Sequence, residues 1–372
     1  MFGSVAIVGL GLIGGSMAAA IRGVDPNVTL YGIDIDPAAI AYAAERHLVD
    51  AAAQPEQALR AGWFGPGVIE LVVLAAPASE IATWLSQLER AGFDGIVTDV
   101  ASTKGGVMAA ARDHAHAAYT FVGGHPMAGS ERSGVEAADA DLFRGAYYVL
   151  TPSEDTDADA FSCVHDLVTA IGARAISIPA DIHDSAVALV SHVPHLVAAA
   201  LVTLAAEHSG GGQDALRLAA GGFKDMTRVA AGSPDLWTGI CTDNAEPIVA
   251  GLVELRELLR RFVAAVEKRD AETIRSLLTH AADVRRALPA QWVPATSALS
   301  ELTLAMIDRP GQVSEITTAV GRAGCNIEDI EIDHETEDRA ILRLVLTDEG
   351  DFDALVGALE ALGYEPRLRP LG

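Results

Sequence analysis

Residues 4–17 read SVAIVGLGLIGGSM. SVAIV is short and wholly apolar apart from its first residue, which predicts a buried strand. Gly9, Gly11 and Gly14 follow at the spacing G-x-G-x-x-G, and IGGSMAAAI continues as a helical run. In that order, strand, glycine loop and helix are the setting in which this spacing binds a dinucleotide. It gives a tight turn, a close backbone approach and a helix N-terminus for a pyrophosphate. Leu12 and Ile13 open the helix, so their backbone N–H groups join the three glycines as expected cofactor contacts. A glycine-rich turn without a ligand would carry the same letters.

Working outward, Asp34 closes the next strand, in YGIDID. An acid there can bond the adenosine ribose hydroxyls and repels a 2′-phosphate, which favours NAD over NADP. Asp36 reads as a helix cap before Pro37. LAAP (74–77) ends a strand in small residues and could lie against a ribose or simply turn the chain.

β-Rich runs alternate with helical patterns to about residue 180: SVAIVGLG, VTLYGIDID, VIELVVLAAP, GIVTDVAS, TFVGGHP, AYYVLTP and RAISIP. This implies a mostly parallel, doubly wound sheet of the Rossmann type over residues 1–180. Residues 181–292 carry only helical patterns and read as a helical substrate-binding and dimerisation domain. Ser233 and Pro234 look like an N-cap and first helical residue there. WVPATS (292–297) reads as a linker. Residues 298–372 follow the order strand, helix, strand, strand, helix, strand, a ferredoxin-like α+β module.

Composition narrows the function. The chain has 372 residues, 50% hydrophobic, with a formal net charge of −25 and no basic cluster. Nucleic acid and anionic membrane are poor partners for such a surface. Cys163, Cys241 and Cys325 lie far apart, which argues against a disulfide framework or zinc site and favours a reducing cytoplasm. The apolar N-terminus lacks a signal peptide's basic flank, and the apolar run VPHLVAAALVTLAA is too short to span a bilayer. No metal-ligand set appears.

The chemistry gathers at expected strand ends. TDVASTKG holds Asp99, Ser102, Thr103 and Lys104; Ser102 or Thr103 could face a ligand or cap the next helix. Lys104 is one of three lysines against 23 arginines, so its retention invites a function. His125, in GGHPMAGSERSG, is either a chemical group held against a substrate or only a turn residue, and Glu131 and Arg132, which follow closely, could bound the mouth of a pocket. In DIHDSAVALVSHVPHLVAA, 100° steps put Asp184, Ser191 and His195 on one helical face, and Pro194 predicts a kink. That face is either a substrate wall or a polar cluster buried between helices. Lys224 and Arg228, four apart, suit a carboxylate-bearing substrate, unless Asp225 pairs with them. Trp237 reads as packing. Together these suggest an NAD-dependent dehydrogenase acting on a small polyanion.

GLGLIGGS, DVASTKG, GGHPMAGSERSGVE, SHVPH and GGFKDMTR, in this order, resemble the prephenate dehydrogenase family, over roughly residues 3–290. The tail, with DRPGQV and GCNIEDI, resembles an ACT domain, a module that commonly binds amino acids. The resemblance implies oxidative decarboxylation of prephenate to 4-hydroxyphenylpyruvate in tyrosine biosynthesis. It implies that His125 takes the proton of the substrate's C4 hydroxyl and that Ser102 positions both groups. Arg228 would grip a substrate carboxylate; His195, Ser191 and Lys224 would line the pocket; Glu131 would stand at its mouth; and Asp184 would be structural. In the tail, Asp308, Pro310, Gly311 and Asn326 would hold an amino-acid effector, with feedback by tyrosine, or the ACT module would serve only in dimerisation. A homodimer is expected. Arogenate dehydrogenase differs only in the substrate's side-chain amino group. A 3-hydroxyacid dehydrogenase would use Lys224 and leave His125 idle. A non-catalytic sensor would bind NAD and an amino acid without turnover.

Overall fold

The computed structural model describes residues 2–129, 132–153, 156–207, 218–287, 299–307, 309, 312–325, 327–336, 339–347 and 350–370. Residues 1–259 pack as one unit and 260–372 as a second. The first is built on an eight-stranded sheet: β1 (Ser4–Val8), β2 (Thr29–Ile33), β3 (Ala51–Ala53), β4 (Leu71–Leu74), β5 (Ile96–Asp99), β6 (Thr120–Pro126), β7 (Tyr147–Thr151) and β8 (Arg174–Ser177). Their spatial order is β3-β2-β1-β4-β5-β6-β7-β8. All neighbours run parallel except β6 and β7, where His125 lies opposite Val149. The chain fills one side of β1, then returns to β4 on the other, so the topological switch lies between β1 and β4.

The expected doubly wound sheet is therefore present, and each of the seven strands read from the sequence forms. β3 was not foreseen. It is three alanines, which carry little strand preference. It forms by pairing with β2 at the sheet edge.

Six helices alternate with the strands: α1 (Leu12–Val24), α2 (Pro37–Glu45), α3 (Pro55–Arg60), α4 (Ala78–Ala91), α5 (Gly105–Asp113) and α6 (Ala158–Ala170). They explain why the strands read as unbroken apolar runs. In β1, Val5 and Ile7 join the core on one face, while Ala6 and Val8 join the core on the other. A strand covered on both faces needs apolar residues at every position.

Helices dominate after β8, as expected. α7 (Ala180–Val187) runs through a π turn at Ala188–His192 into α8 (Val193–Glu207). The proline signal thus marks a wide turn, closed by a bond from the Val193 N–H to the Ala188 carbonyl, not a simple kink. The whole run is long and apolar enough to cross a membrane by length and composition. It instead buries His183, Asp184, His192 and His195 within the protein. Ser233 caps the helix Pro234–Asp243, accepting from the Leu236 N–H at 3.5 Å. That helix stops at Asn244, and Ala245–Glu267 starts a new one.

In the second unit, β9 (Leu299–Ile307), β10 (Ile327–Thr336), β11 (Arg339–Thr347) and β12 (Arg367–Pro370) form an antiparallel sheet of order β10-β11-β9-β12. The helices Gln312–Arg322 and Phe352–Ala361 complete the expected βαββαβ order. Leu302, Leu304, Ile316, Leu342, Leu344 and Leu355 form its core.

Candidate active site

The glycine loop follows β1 as read. Gly9 adopts a φ of +93°, open only to glycine without strain. A Cβ on Gly14 would overlap the Gly9 carbonyl, and a Cβ on Gly9 would lie 2.5 Å from the Ala75 carbonyl oxygen. The strand end LAAP is thus what closes the turn. A Cβ on Gly11 would meet nothing within 4 Å, so this is the face a ligand can approach. Gly11 caps α1 without a side-chain bond, and the first turn of α1 carries no acid. The N–H groups of Leu12, Ile13 and Gly14 are therefore open to an anion without competition from a carboxylate.

Asp34 lies just past β2. Its Oδ2 accepts from the Leu10 N–H at 2.6 Å and its Oδ1 from the Asp36 N–H at 2.8 Å. A carboxylate has about four acceptor positions, so ribose hydroxyls can still donate to it. Asp36 caps α2, accepting from the Ala38 N–H. Loop, helix end and acid fit a dinucleotide with free ribose hydroxyls, NAD rather than NADP.

The ends of β5 and β6 are clamped together. Asp99 is fully buried and forms an ion pair with Lys104, itself fully buried. The Lys104 Nζ also donates to the Gly124 carbonyl at 2.6 Å, while the Gly124 N–H donates to Asp99 Oδ1 at 3.0 Å. A Cβ on Gly124 would lie 2.7 Å from the Asp99 carbonyl oxygen, so only glycine permits the approach. Lys104 thus turns into the core, not toward a ligand. Burial pulls its ammonium below the ordinary value, and Asp99 opposes that shift.

His125 follows directly, next to last in β6 and 8% exposed. Burial, with the Lys104 charge second, holds it well below its ordinary value of 6.5, so it is neutral. Its Nδ1 lies 2.8 Å from His183 Nε2. His183 Nδ1 in turn lies 2.8 Å from Asp184 Oδ1.

Asp184 joins the helical region to the sheet. Its Oδ1 accepts from the Lys104 N–H at 2.8 Å and its Oδ2 from the Gly105 N–H at 2.7 Å. Burial alone would raise its carboxyl; the bonds from His183, Lys104 and Gly105 outweigh that and lower it. The acid therefore caps α5 from another element. Neither Ser102 nor Thr103 makes a side-chain cap there. Ser102 is left half-buried in the β5–α5 loop. Asn244 donates through Nδ2 to the Asp184 carbonyl at 2.8 Å and lies 3.1 Å from His192 Nδ1. Burial pushes His192 down to about 4.

The shared face read for Asp184, Ser191 and His195 assumed uniform 100° steps. The π turn between them changes the phase, and the structure gives Asp184 and His195 different neighbours. His195 stacks on Trp237, with ring centroids 3.5 Å apart and planes 13° from parallel. Its Nδ1 is buried with no hydrogen-bond partner among the described residues. Ser191 is half-buried. Trp237 therefore orients a histidine as well as packing. Lys224 and Arg228 are exposed; the helix Gly221–Thr227 ends between them, and Arg228 begins a 3-10 turn. Glu131, Asp308, Pro310, Gly311 and Asn326 lie outside the described residues.

Sequence reading missed His183 and Asn244. Neither stands in a glycine loop, beside a proline or at a strand end. The only local signal is that His183 and Asp184 are adjacent.

Three family models match the chain: the prephenate dehydrogenase nucleotide-binding domain over residues 17–177, the prephenate dehydrogenase dimerization domain over 179–280, and the ACT domain over 300–364. A prephenate dehydrogenase of Bacillus subtilis is 34% identical over 96% of both chains. A prephenate dehydrogenase from A. aeolicus, solved with hydroxyphenyl propionate and NAD+, superposes with a TM-score of 0.71. The match covers 77% of this chain and 98% of that one, at 29% identity. Synechocystis arogenate dehydrogenase gives 0.64 at 32% identity, over 76% and 99%. Matches to both prephenate dehydrogenase domain models, together with 34% identity to a curated relative along almost the whole chain, mean that this chain belongs to the prephenate dehydrogenase family of NAD-dependent oxidoreductases.

Proposed function

We propose that this chain catalyses the NAD-dependent oxidative decarboxylation of prephenate to 4-hydroxyphenylpyruvate. The observation that carries the reading is His125: buried, neutral and fixed through Nδ1 at the same end of the sheet as the dinucleotide loop. β6 stands three strands from β1. At a strand spacing of about 4.8 Å that is about 14 Å, so the glycine loop and His125 open at the same end of the sheet within reach of one extended cofactor and its substrate. Gly9, Gly11, Leu12, Ile13, Gly14 and Asp34 hold the cofactor, which when bound supplies the hydride acceptor.

The protein's own work is proton handling and grip. His125 accepts the C4 hydroxyl proton through Nε2, a role suited to a neutral imidazole. Ser102 holds that hydroxyl. Loss of the ring carboxylate as CO₂ then leaves the aromatic product. Arg228 pairs with a substrate carboxylate, with Lys224, Ser191 and Glu131 around it. The buried, unpartnered His195 Nδ1 suits another polar atom of the substrate.

The ACT module makes feedback by tyrosine or another aromatic amino acid the regulatory reading, with Asp308, Pro310, Gly311 and Asn326 as its contacts. The match to a dimerization domain, with Leu189, Val190, Val249 and Val253 exposed, supports a homodimer. Three free cysteines suit the cytoplasm.

The decisive assay follows absorbance at 340 nm with prephenate or arogenate and each nicotinamide cofactor. NADH formation from prephenate is expected. Cofactor binding without turnover on either substrate overturns the enzymatic reading; higher kcat/KM on arogenate reassigns the substrate. Unchanged rates with tyrosine or phenylalanine, and no heat of binding, remove the regulatory reading.

A further inference from the structure

We propose that His183 is a positioning residue that selects the tautomer of His125, with Asp184 as its anchor. The inference rests on His125 being the proton acceptor and adds how its Nε2 comes to hold a lone pair.

The direction of the chain follows from its far end. Asp184 receives two backbone N–H groups, from Lys104 and Gly105, which can only donate. Its carboxyl is also held below the ordinary range, so it is an ionised acceptor. The 2.8 Å contact from Asp184 Oδ1 to His183 Nδ1 must then be an N–H donated by His183. A neutral imidazole carries one N–H. In the proposed network His183 carries that single proton, on Nδ1 facing Asp184; its Nε2 is then a lone pair and can only accept. The 2.8 Å contact between it and His125 Nδ1 requires the proton to sit on His125 Nδ1. His125 Nε2 is left as the basic nitrogen. The alternative tautomer of His125 would set two lone pairs against each other in a buried site.

Burial makes the selection firm. His183 is wholly buried and His125 is 8% exposed, so little water can stand in for either partner. The ring centroids lie 5.0 Å apart with an N···N contact of 2.8 Å between them, so Nδ1 of one ring and Nε2 of the other lie nearly in line between the two rings. Asn244 holds the Asp184 backbone from behind. In a serine-protease triad the carboxylate beside the histidine has the same tautomer-setting role, and neutralising it costs about 10⁴ in kcat.

The test uses the full chain in three variants. His183→Phe keeps the ring volume and removes the acceptor. His183→Gln keeps an acceptor oxygen. His125→Asn reports on the base itself. His183→Phe is expected to lower kcat by about 10²- to 10³-fold, with NAD+ affinity unchanged and partial recovery in His183→Gln. The readout that a structural role would not move is the ¹⁵N NMR of the His125 ring. Nδ1 should be protonated and Nε2 unprotonated at neutral pH, with this pattern lost in His183→Phe. Turnover lost in His125→Asn but kept in His183→Phe removes the positioning role alone. Turnover kept in His125→Asn removes the base reading and this inference with it. A protonated Nε2 in the wild-type enzyme overturns the inference even if His183→Phe does not fold.

Discussion

The dinucleotide loop and the His125 network lie at one end of one sheet, past the C-terminal ends of β1 and β6, yet they are built in opposite ways. The loop uses backbone. Its parts are Gly9 to Gly14, Ala75 and Asp34, and each is fixed by what a Cβ would strike or by a single carboxylate. The network uses buried side chains drawn from β5, β6, α7 and Asn244. Binding a pyrophosphate needs oriented N–H groups, which a helix start supplies. Holding a neutral base needs burial, and every buried polar group then needs a partner. The first task is met by local spacing, the second by tertiary packing. The two regions should therefore fail separately.

The largest separation is expected from His125→Asn. kcat should fall by about 10²- to 10⁴-fold, while NAD+ affinity by fluorescence titration stays within about two-fold. A variant that keeps most of its turnover breaks the comparison, because the network would then not be catalytic.

Lys104→Met should act on stability instead. It strands Asp99 as an unpaired charge in the core, a loss of about 3–5 kcal/mol. Denaturation midpoints would show it. Adding Asp99→Asn should recover part of the loss, because the remaining amide carries no charge. No recovery would mean that packing, not charge, holds the β5 and β6 ends together.

Acid should loosen the network before it touches the loop. His125, His192 and His195 are all held below their ordinary value of 6.5 in the folded chain. Unfolded histidines take up protons near that value, so the unfolded state binds more protons as pH falls below it. Stability is then full above about 6.5 and declines as pH drops toward the folded values. His192, which falls to about 4, contributes about 2 kcal/mol of loss between about pH 6.5 and 5. A melting temperature flat across that range would show that these histidines are not buried neutral.

The same contrast explains what could be read in advance. The sheet, the α+β tail and Asp34 followed from periodicity and spacing. Rarity marks Lys104 in the sequence but does not show that it turns inward to Asp99. Local sequence cannot divide Ser102 between capping and ligand because the true cap, Asp184, lies about eighty residues away. His183 had no local mark, since its meaning comes from two partners on different elements. The 100° arithmetic failed at the π turn, an irregularity that one proline did not specify.

The smallest effect is expected at Asp34, and it is the sharpest check on the loop. Asp34→Ala removes the acceptor for Leu10 and Asp36 as well as for the ribose. The KM for NAD+ should rise about tenfold, equivalent to about 1.4 kcal/mol, with kcat nearly unchanged. Preference over NADP+ should narrow, because the repulsion of a 2′-phosphate is gone. Asp34→Asn separates the two jobs of the carboxylate. It keeps one acceptor oxygen but loses the charge. If Asn restores the KM for NAD+ and still tolerates NADP+, bracing the loop accounts for affinity and charge accounts for selectivity. If Asp34→Ala lowers kcat as far as His125→Asn does, the loop and the network are one cooperative unit, and the division between backbone and side-chain construction does not hold at the level of function.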